Sequence, residues 1–258
     1  MTWFPQIGAG SIAQYPLQRS RKWRSISNTL ESGERILLPD SPAGEIDWYL
    51  PYRDLSDAEV LNLTNLFTSS QGCFGAFAFI DPLANLLGWS EDLSRPDWQT
   101  GLLQKHGSVD DPAGTLRSWT LSNGTAGTQA LSQTLGISGD YSACFSLYVR
   151  SSAAGTVTLQ RDAHQVSPAV EPAWTRIWIS GGGTPGAAQS AFSIVLVAGQ
   201  SIDVWGLQVE AQVYPSLYMP TTAARGIYEE TYFAADEMNV TSDGVGLSSC
   251  VIHLTSRV

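Results

Sequence analysis

Lysine, cysteine, histidine and long apolar runs are all scarce in this sequence, and each scarcity excludes something. Lysine occurs only as Lys22 and Lys105, and charged residues make up 15% of the chain, against about 25% in ordinary soluble domains. Asp and Glu number 24 against 14 Lys and Arg, for a net charge of −10. Such a chain repels nucleic acid and anionic lipid unless its charge is segregated. Its basic cluster, Arg19, Arg21, Lys22 and Arg24, reads as a solvated loop or a subunit contact, so neither nucleic acid nor membrane insertion is expected. Three cysteines, Cys73, Cys144 and Cys250, imply no disulfide framework and read as buried thiols of a protein made in a reducing cytoplasm. The opening Met1-Thr2-Trp3-Phe4-Pro5 lacks the basic start and apolar run of a secretory signal. No stretch approaches the ~20 apolar residues of a membrane span.

Active-site signatures are missing as well. His106, His164 and His253 stand alone, without a second His or Cys at metal-ligand spacing. There is no G-x-S-x-G elbow, no H-E-x-x-H, no Cys/His signature and no EF-hand loop. Glu91-Asp92, Asp110-Asp111 and Glu229-Glu230 are adjacent acids. Neighbours on a strand point to opposite faces, so they do not form the facing carboxylate pair that glycoside hydrolysis requires. No enzyme, cofactor or metal is expected.

What the chain does hold is Gly (24), Trp (9) and 43% hydrophobic residues, a profile for turn-rich β structure. One helix is legible. Ser56-Asp57-Ala58-Glu59 is a capping box, and Val60, Leu63, Leu66 and Phe67 recur on one face, with an end near Ser69–Gly72. Ile46, Trp48, Leu50 and Tyr52 alternate as a strand, Phe74–Phe79 reads as a strand buried on both faces, and Arg35–Leu38 as a short strand stopped by Pro39. From about 85 to 221, short strands recur at regular spacing: Trp119–Leu121, Ala130–Leu135, Ser142–Arg150, Thr156–Arg161, Trp174–Ile179, Ala191–Val197 and Ser201–Glu210. That rhythm predicts a β-sandwich of jelly-roll type, with Gly181–Gly186 as a flexible turn. Residues 222–258 return to two or three strands, Ile227–Ala234 and Val251–Thr255 among them. These cannot stand alone, so they are assigned to the first segment. The expected fold is mainly β: an α+β domain from 1–84 and 222–258, with a β-sandwich, 85–221, inserted into it.

Parity within the insert nominates a surface patch. If Ala143, Phe145, Leu147 and Val149 face the core, Tyr148 and Arg150 face out. By the same rule so do Arg176 and Trp178, and Gln160 on its own strand. Aromatic rings beside hydrogen-bonding side chains suit stacking on a pyranose. Trp119, Trp174 and Trp205 are assigned to the core, and Gln208 and Glu210 stay open between structure and binding.

Two stretches carry a resemblance. Asn85-Leu86-Leu87-Gly88-Trp89-Ser90-Glu91-Asp92-Leu93, with Trp98, opens the insert; Trp205-Gly206-Leu207-Gln208-Val209-Glu210 and Tyr218-Met219-Pro220-Thr221 close it. Together they resemble carbohydrate-binding-type modules of phage tail and tail-fibre proteins. The flanks, through Phe4-Pro5, Trp48–Tyr52, the helix, Phe77–Pro82 and Leu247–Leu254, resemble distal or minor tail proteins of siphophages and gene transfer agents. That resemblance implies a virion structural protein at the tail tip. It would form a ring with copies of itself (often a hexamer), joined to the tail tube and to baseplate or hub proteins. Arg19, Arg21, Lys22 and Arg24 would meet Glu229, Glu230, Asp236 and Glu237 of a neighbour. The insert would touch a host cell-surface polysaccharide through Tyr148, Arg150, Gln160, Arg176 and Trp178, or act as a spacer. A free lectin-like protein and a glycan-cleaving tail spike are the alternatives.

Overall fold

The structure is a computed structural model that describes residues 2–40, 44–223 and 226–257. In chain order it runs β1 (Gln18–Lys22), β2 (Ser25–Thr29), β3 (Arg35–Pro39), β4 (Glu45–Leu55), α1 (Asp57–Ser69) and β5 (Phe77–Ile80). Then come β6 (Gln104–Val109), β7 (Ser118–Ser122), β8 (Gln129–Leu135), β9 (Ala143–Arg150), β10 (Gly155–Thr156) and β11 (Thr158–Arg161). They are followed by β12 (His164–Val166), β13 (Ala169–Val170), β14 (Thr175–Gly181), β15 (Ser190–Leu196) and β16 (Ser201–Glu210). The chain finishes with β17 (Ile227–Phe233), β18 (Val240–Gly244) and β19 (Leu247–Arg257). Two compact units result: Met1–Gly8, Ile12–Ile80 and Ile227–Val258 form one, Ala9–Ser11 and Asp81–Gly226 the other. Among the described residues no helix is long and apolar enough to cross a membrane.

In the first unit, strands from both ends of the chain interleave in one antiparallel sheet of order β1-β4-β19-β17-β5, with β18 attached to β19. Alternation does the sorting. Ile46, Trp48, Leu50 and Tyr52 of β4 are buried, as are Ile252 and Leu254 of β19, while Val251 and His253 face out. The capping box at Ser56 forms as expected, and the Glu59 carboxylate also accepts from Gly8 N at 2.6 Å. Burial alone would raise the Glu59 pKa, but the hydrogen bonds from Ser56 and Gly8 outweigh it and hold the group below its usual value. Leu63 and Leu66 are buried, Val60 and Phe67 half-buried, and the Phe67 ring meets Phe233 edge-on at 5.0 Å.

Three expectations need correction here. The strand expected from Phe74 begins at Phe77. The helix closes through Gly72 N to Phe67 O and Gly75 N to Ser70 O, and this turn uses up residues 70–76 and leaves Phe74 exposed. The Arg35–Leu38 strand includes Pro39 and pairs with an unforeseen partner, β2, in a separate two-stranded hairpin with every residue exposed. Cys73 is exposed, not buried; only Cys144 and Cys250 are inside.

The second unit is a sandwich of two antiparallel sheets, β12-β11-β15-β8 and β14-β9-β16-β7-β6. From β7 to β16 the chain repeatedly switches between them, as in jelly rolls. Their inner faces meet through Leu131, Leu159, Phe192 and Ile194 on one side and Phe145, Leu147, Val149 and Ile177 on the other, with Phe145 against Phe192 at 5.9 Å. The expected strand positions correspond to observed strands, except that Thr156–Arg161 divides between β10 and β11, which belong to different sheets; β6, β12 and β13 are additional. The Gly181–Gly186 turn is tied down by three backbone donors. Gly183 N donates to Gly139 O at 2.7 Å, Thr184 N to Asp162 Oδ2 at 3.0 Å and Gly186 N to Asp140 Oδ1 at 3.0 Å. Beneath it Arg161, buried in the sandwich, donates to Gly181 O, to Ser138 O and to Ser190 Oγ. Burial lowers its pKa to about 10.

Two outcomes follow. A Cβ at Gly139 would sit 1.9 Å from Thr184 O, a carbonyl already held by Ala187 N. Gly139→Ala should therefore destabilise the sandwich by about 1–3 kcal/mol, seen as a lower denaturant midpoint with an unchanged slope. Burial pushes the Cys144 thiol up to about 12 and that of Cys250 up to about 11. The Asp236 carboxylate raises the Cys73 thiol as well, so access decides: an Ellman titration should count one thiol, the exposed Cys73, in the folded chain and all three in denaturant.

Candidate functional site

The outward face of the β14-β9-β16-β7-β6 sheet carries an ordered arrangement of rings and polar groups. Register places them in rows. Arg176, Tyr148 and Trp205 lie side by side on β14, β9 and β16; Arg150, Asp203, Thr120 and His106 lie side by side on β9, β16, β7 and β6. In the first row the Arg176 guanidinium stacks 5.4 Å over Tyr148, whose ring is 5.3 Å from Trp205, which in turn meets Tyr218 edge-on at 4.8 Å. In the second row Arg150 lies 4.8 Å over Trp174 and donates through Nε to Asp203 at 2.9 Å, and Asp203 accepts from Thr120 Oγ1 at 2.6 Å. Beside that row a polar cavity of about 190 Å³ is lined by Ser151, Ser152, Ser201, Ile202 and Asp203. Trp178 stands at the β14 margin with 46% of its surface exposed.

Part of this face is roofed by the segment after β16, and the residues of the two sequence signatures build the roof. Glu210, wholly buried, accepts from Ser216 N at 3.0 Å and from Ser216 Oγ. Gln208, also buried, accepts from Met219 N at 2.8 Å and donates toward Leu217 O. Arg176 donates to Ser216 O and to Ser146 Oγ. The opening signature locks onto the same segment. Asn85 donates to Leu207 O at 2.9 Å and Met219 O at 3.0 Å and accepts from Leu87 N and Val209 N, each at 3.1 Å. Ser90 Oγ lies 2.9 Å from the Tyr218 hydroxyl and accepts from Thr221 N at 2.9 Å. Burial drives the Tyr218 phenol well above its usual pKa, so it stays a hydrogen-bonding hydroxyl. Gln208 and Glu210, left open by sequence, are structural.

Of the five nominated residues, the structure brings four together. Tyr148, Arg150 and Arg176 are half-buried and Trp178 exposed, all on one face. Gln160 belongs to β11 in the opposite sheet, where its amide donates to Asp162 O; outward parity was right, but the two outward faces look in opposite directions. Trp119, Trp174 and Trp205 are half-buried, not core. Trp174 and Trp205 take part in the stacked rows, whereas Trp119 hangs from Glu91 O by its Nε1 at 2.9 Å. The site residues that sequence reasoning missed are Trp174, Trp205, Asp203 and Thr120. Parity along β16 pointed to Asp203 and Trp205, since Ile202 and Val204 are the apolar positions.

The basic cluster is not a loop: Arg19, Arg21 and Lys22 lie on the edge strand β1. Lys22 pairs with Asp47 and Arg24 with Asp40. Asp236, expected to meet that cluster in a neighbour, accepts from Cys73 N at 2.9 Å. Among the adjacent acids, Glu91 and Asp111 both receive Arg117, at 3.2 and 3.1 Å, and Asp92 receives Arg95 at 2.7 Å. Among the described residues no group of three or more His, Cys, Asp or Glu side chains is placed to hold a metal ion.

Removing the buried Asn85 side chain would strand two carbonyls and two amides, each worth about 1–3 kcal/mol when left unpaired. Asn85→Ala is therefore expected to lower the stability of the second unit by about 3 kcal/mol or more. Urea unfolding followed by tryptophan fluorescence measures it.

No protein-family model and no curated protein matches this chain. Among solved structures it is similar to the CBM22-1 xylan-binding domain from Paenibacillus barcinonensis, with 15% identity over 51% of this chain and 96% of that one, at a TM-score of 0.41. A carbohydrate-binding module solved in complex with β-1,4-galactotriose matches at 10% identity, over 48% of this chain and 97% of its own, at 0.36. The enzymatically active domain of tailspike protein 4 of bacteriophage CBA120 matches at 13% identity and 0.37, over 51% of this chain and only 22% of the tailspike. Likenesses this distant decide nothing about ligand, activity or partner.

Proposed function

We propose that the outward face of the five-stranded sheet binds a glycan, and that the chain is a structural, non-enzymatic component of a phage-type tail tip displaying that module to the host surface. The observation that carries the glycan reading is the pairing of Trp178, Tyr148 and Trp174 with the Arg150–Asp203–Thr120 row. Rings supply apolar faces for pyranose C–H groups, and the polar row supplies donors and acceptors for hydroxyls. Both arginines are already engaged, Arg150 by Asp203 and Arg176 by Ser216, which favours a neutral sugar over an acidic one. Glycan cleavage would need two carboxylates facing each other across a cleft. On this face Asp203 is tied to Arg150 and Thr120, and Glu210 is buried under the roof. The tail reading is supported by the order of signatures around the insert and by the sheet that the two chain ends build together.

Titration against a panel of neutral and acidic bacterial polysaccharides, by calorimetry or tryptophan fluorescence, tests the site. Trp178→Ala should weaken binding about tenfold, the equivalent of about 1.4 kcal/mol of stacking and burial, with thermal stability unchanged. Gln160→Ala should leave affinity unaltered. Binding that ignores Trp178 and Tyr148 would remove this face from consideration. Gold-labelled antibody seen at the distal end of tails tests the tail placement separately.

A further inference from the structure

In the first unit β19 pairs with β4 on one side and with β18 on the other, and both ladders slip beside residues 247–250. Between the pairs Leu55–Ser248 and Tyr52–Cys250, β4 holds two residues, Arg53 and Asp54, against the single Ser249. Between Ser242–Ser248 and Gly244–Leu247, β18 holds Asp243 against none. Each slip is a β-bulge, which interrupts pairing and re-aims a side chain. Asp54 takes the left-handed backbone at φ 55°, uncommon for a residue with a Cβ. The Gln14 amide occupies the backbone of its neighbour, accepting from Arg53 N at 2.8 Å and donating to Arg53 O at 2.9 Å.

The two bulges, on opposite flanks of β19, bring Asp54 and Asp243 to one cavity of about 760 Å³. That volume falls within the roughly 300–1,000 Å³ of small-molecule clefts. Its apolar part is Tyr49, Pro51 and Val251, with Tyr49 46% and Val251 45% exposed. Around them stand the Arg53 guanidinium, the hydroxyls of Ser249 and Thr241, which are paired across β19 and β18, and the Asn239 amide, which donates to Glu237 at 3.0 Å. Among the described residues the side chains of Arg53, Asp54 and Asp243 have no hydrogen-bond or ion-pair partner.

This lining restricts what can fill it. Asp54, Glu237 and Asp243 outweigh Arg53, so an anionic ligand is disfavoured. A wholly apolar ligand would strip water from the polar groups without replacing their hydrogen bonds. An uncharged sugar meets both parts of the surface: its C–H face stacks on Tyr49, its hydroxyls donate to the carboxylates, and they accept from Arg53 and Asn239. The geometry points to the β4–β18–β19 cleft as a second saccharide site, for an uncharged oligosaccharide. It belongs to the unit without the sandwich and does not depend on the glycan face proposed above. Two sites on one chain would let a long polymer be held at two points, with an avidity that neither site has alone.

Nuclear magnetic resonance of the labelled 258-residue chain tests it, by titration with uncharged hexasaccharides (gluco-, manno-, galacto- and N-acetylglucosamine-based) and with an oligouronate. Val251 methyl and Thr241 and Asn239 amide signals report on the cleft; the Trp174 and Trp178 indole signals report on the glycan face. An uncharged sugar should shift the cleft signals, and the oligouronate should not. Tyr49→Ala should weaken the cleft response about tenfold and leave the indole response unchanged; Trp178→Ala should leave the cleft response intact. Asp54→Gly removes a carboxylate while keeping the left-handed backbone and should weaken the cleft response too. Should it disturb the amide spectrum, Asp243→Asn, at an exposed position, takes its place. Cleft signals that no uncharged sugar moves, that the oligouronate moves equally, or that respond as in wild type after Tyr49→Ala and the carboxylate change would each overturn the second site. Indole shifts without cleft shifts would do so while leaving the glycan face standing; cleft shifts without indole shifts would remove the face and keep the cleft.

Discussion

Everything in this molecule hangs on one rung of one ladder, the pairing of Ile80 with Ile227 where β5 meets β17. Antiparallel pairing there sets the two ends of a long excursion side by side, and on the other side of the junction Asp81 N donates to Gly226 O at 2.9 Å. Loop-closure entropy grows by only about 0.6 kcal/mol per doubling of length, so once that rung is made even a long insert costs the host sheet a few kcal/mol. The condition is that the insert close on itself. Asn85, Ser90 and Thr221 meet that condition by tying the first residues of the second unit to its last.

This accounts for a division of labour among residues that looked alike in sequence. The most distinctive motif positions, Asn85, Ser90, Gln208, Glu210 and Tyr218, are spent on closure, and Gln208 and Glu210 are fully buried in doing so. Buried polar groups of this kind must all be satisfied or the cost is severe, which demands particular residue types. The face proposed for glycan binding is assembled from residues whose common feature is adjacency: Trp174, Arg150, Asp203 and Thr120 come from four separate strands or loops.

The first unit shows the same economy with charge. Asp47 is buried on the outer face of β4, where desolvation alone would raise its pKa; hydrogen bonds from Lys22 and Thr255 outweigh that and hold it below its usual value. A carboxyl with a depressed folded pKa stabilises above its unfolded value and loses that contribution as pH falls through the folded one. The Lys22 ammonium, raised by the same partner, stabilises below its unfolded pKa and loses its share as alkaline pH rises through the folded one. The β1 edge is thus held to β4 across the neutral range.

Local rules made much of the architecture readable. Alternation at Ile46–Tyr52 and Ala143–Val149, the capping box at Ser56 and the helical spacing to Leu66 are short-range signals, and each formed where the pattern put it. What local rules could not supply was neighbourhood. Parity states that a side chain faces out, but not from which sheet, so it groups Gln160 with residues on the opposite side of the sandwich. Periodicity cannot separate an outward tryptophan under a roof from a core one, since Trp205 and Trp174 owe their half-burial to strand pairing and to loops distant in sequence. The hairpin Ser25–Pro39 went half-unseen because its polar strand, Ser25–Thr29, has no core to face. The helix, the longer strands and the apolar face of each of those strands were legible without tertiary contacts, because they depend on residues within a turn or two of one another; β1, β2, β6, β12 and β13 were not, because pairing with a distant partner is what makes them strands. The tertiary structure alone decided which outward faces share a surface, which motif residues were consumed in closing the insert, and which hairpin was left exposed, because those depend on pairings between residues far apart along the chain.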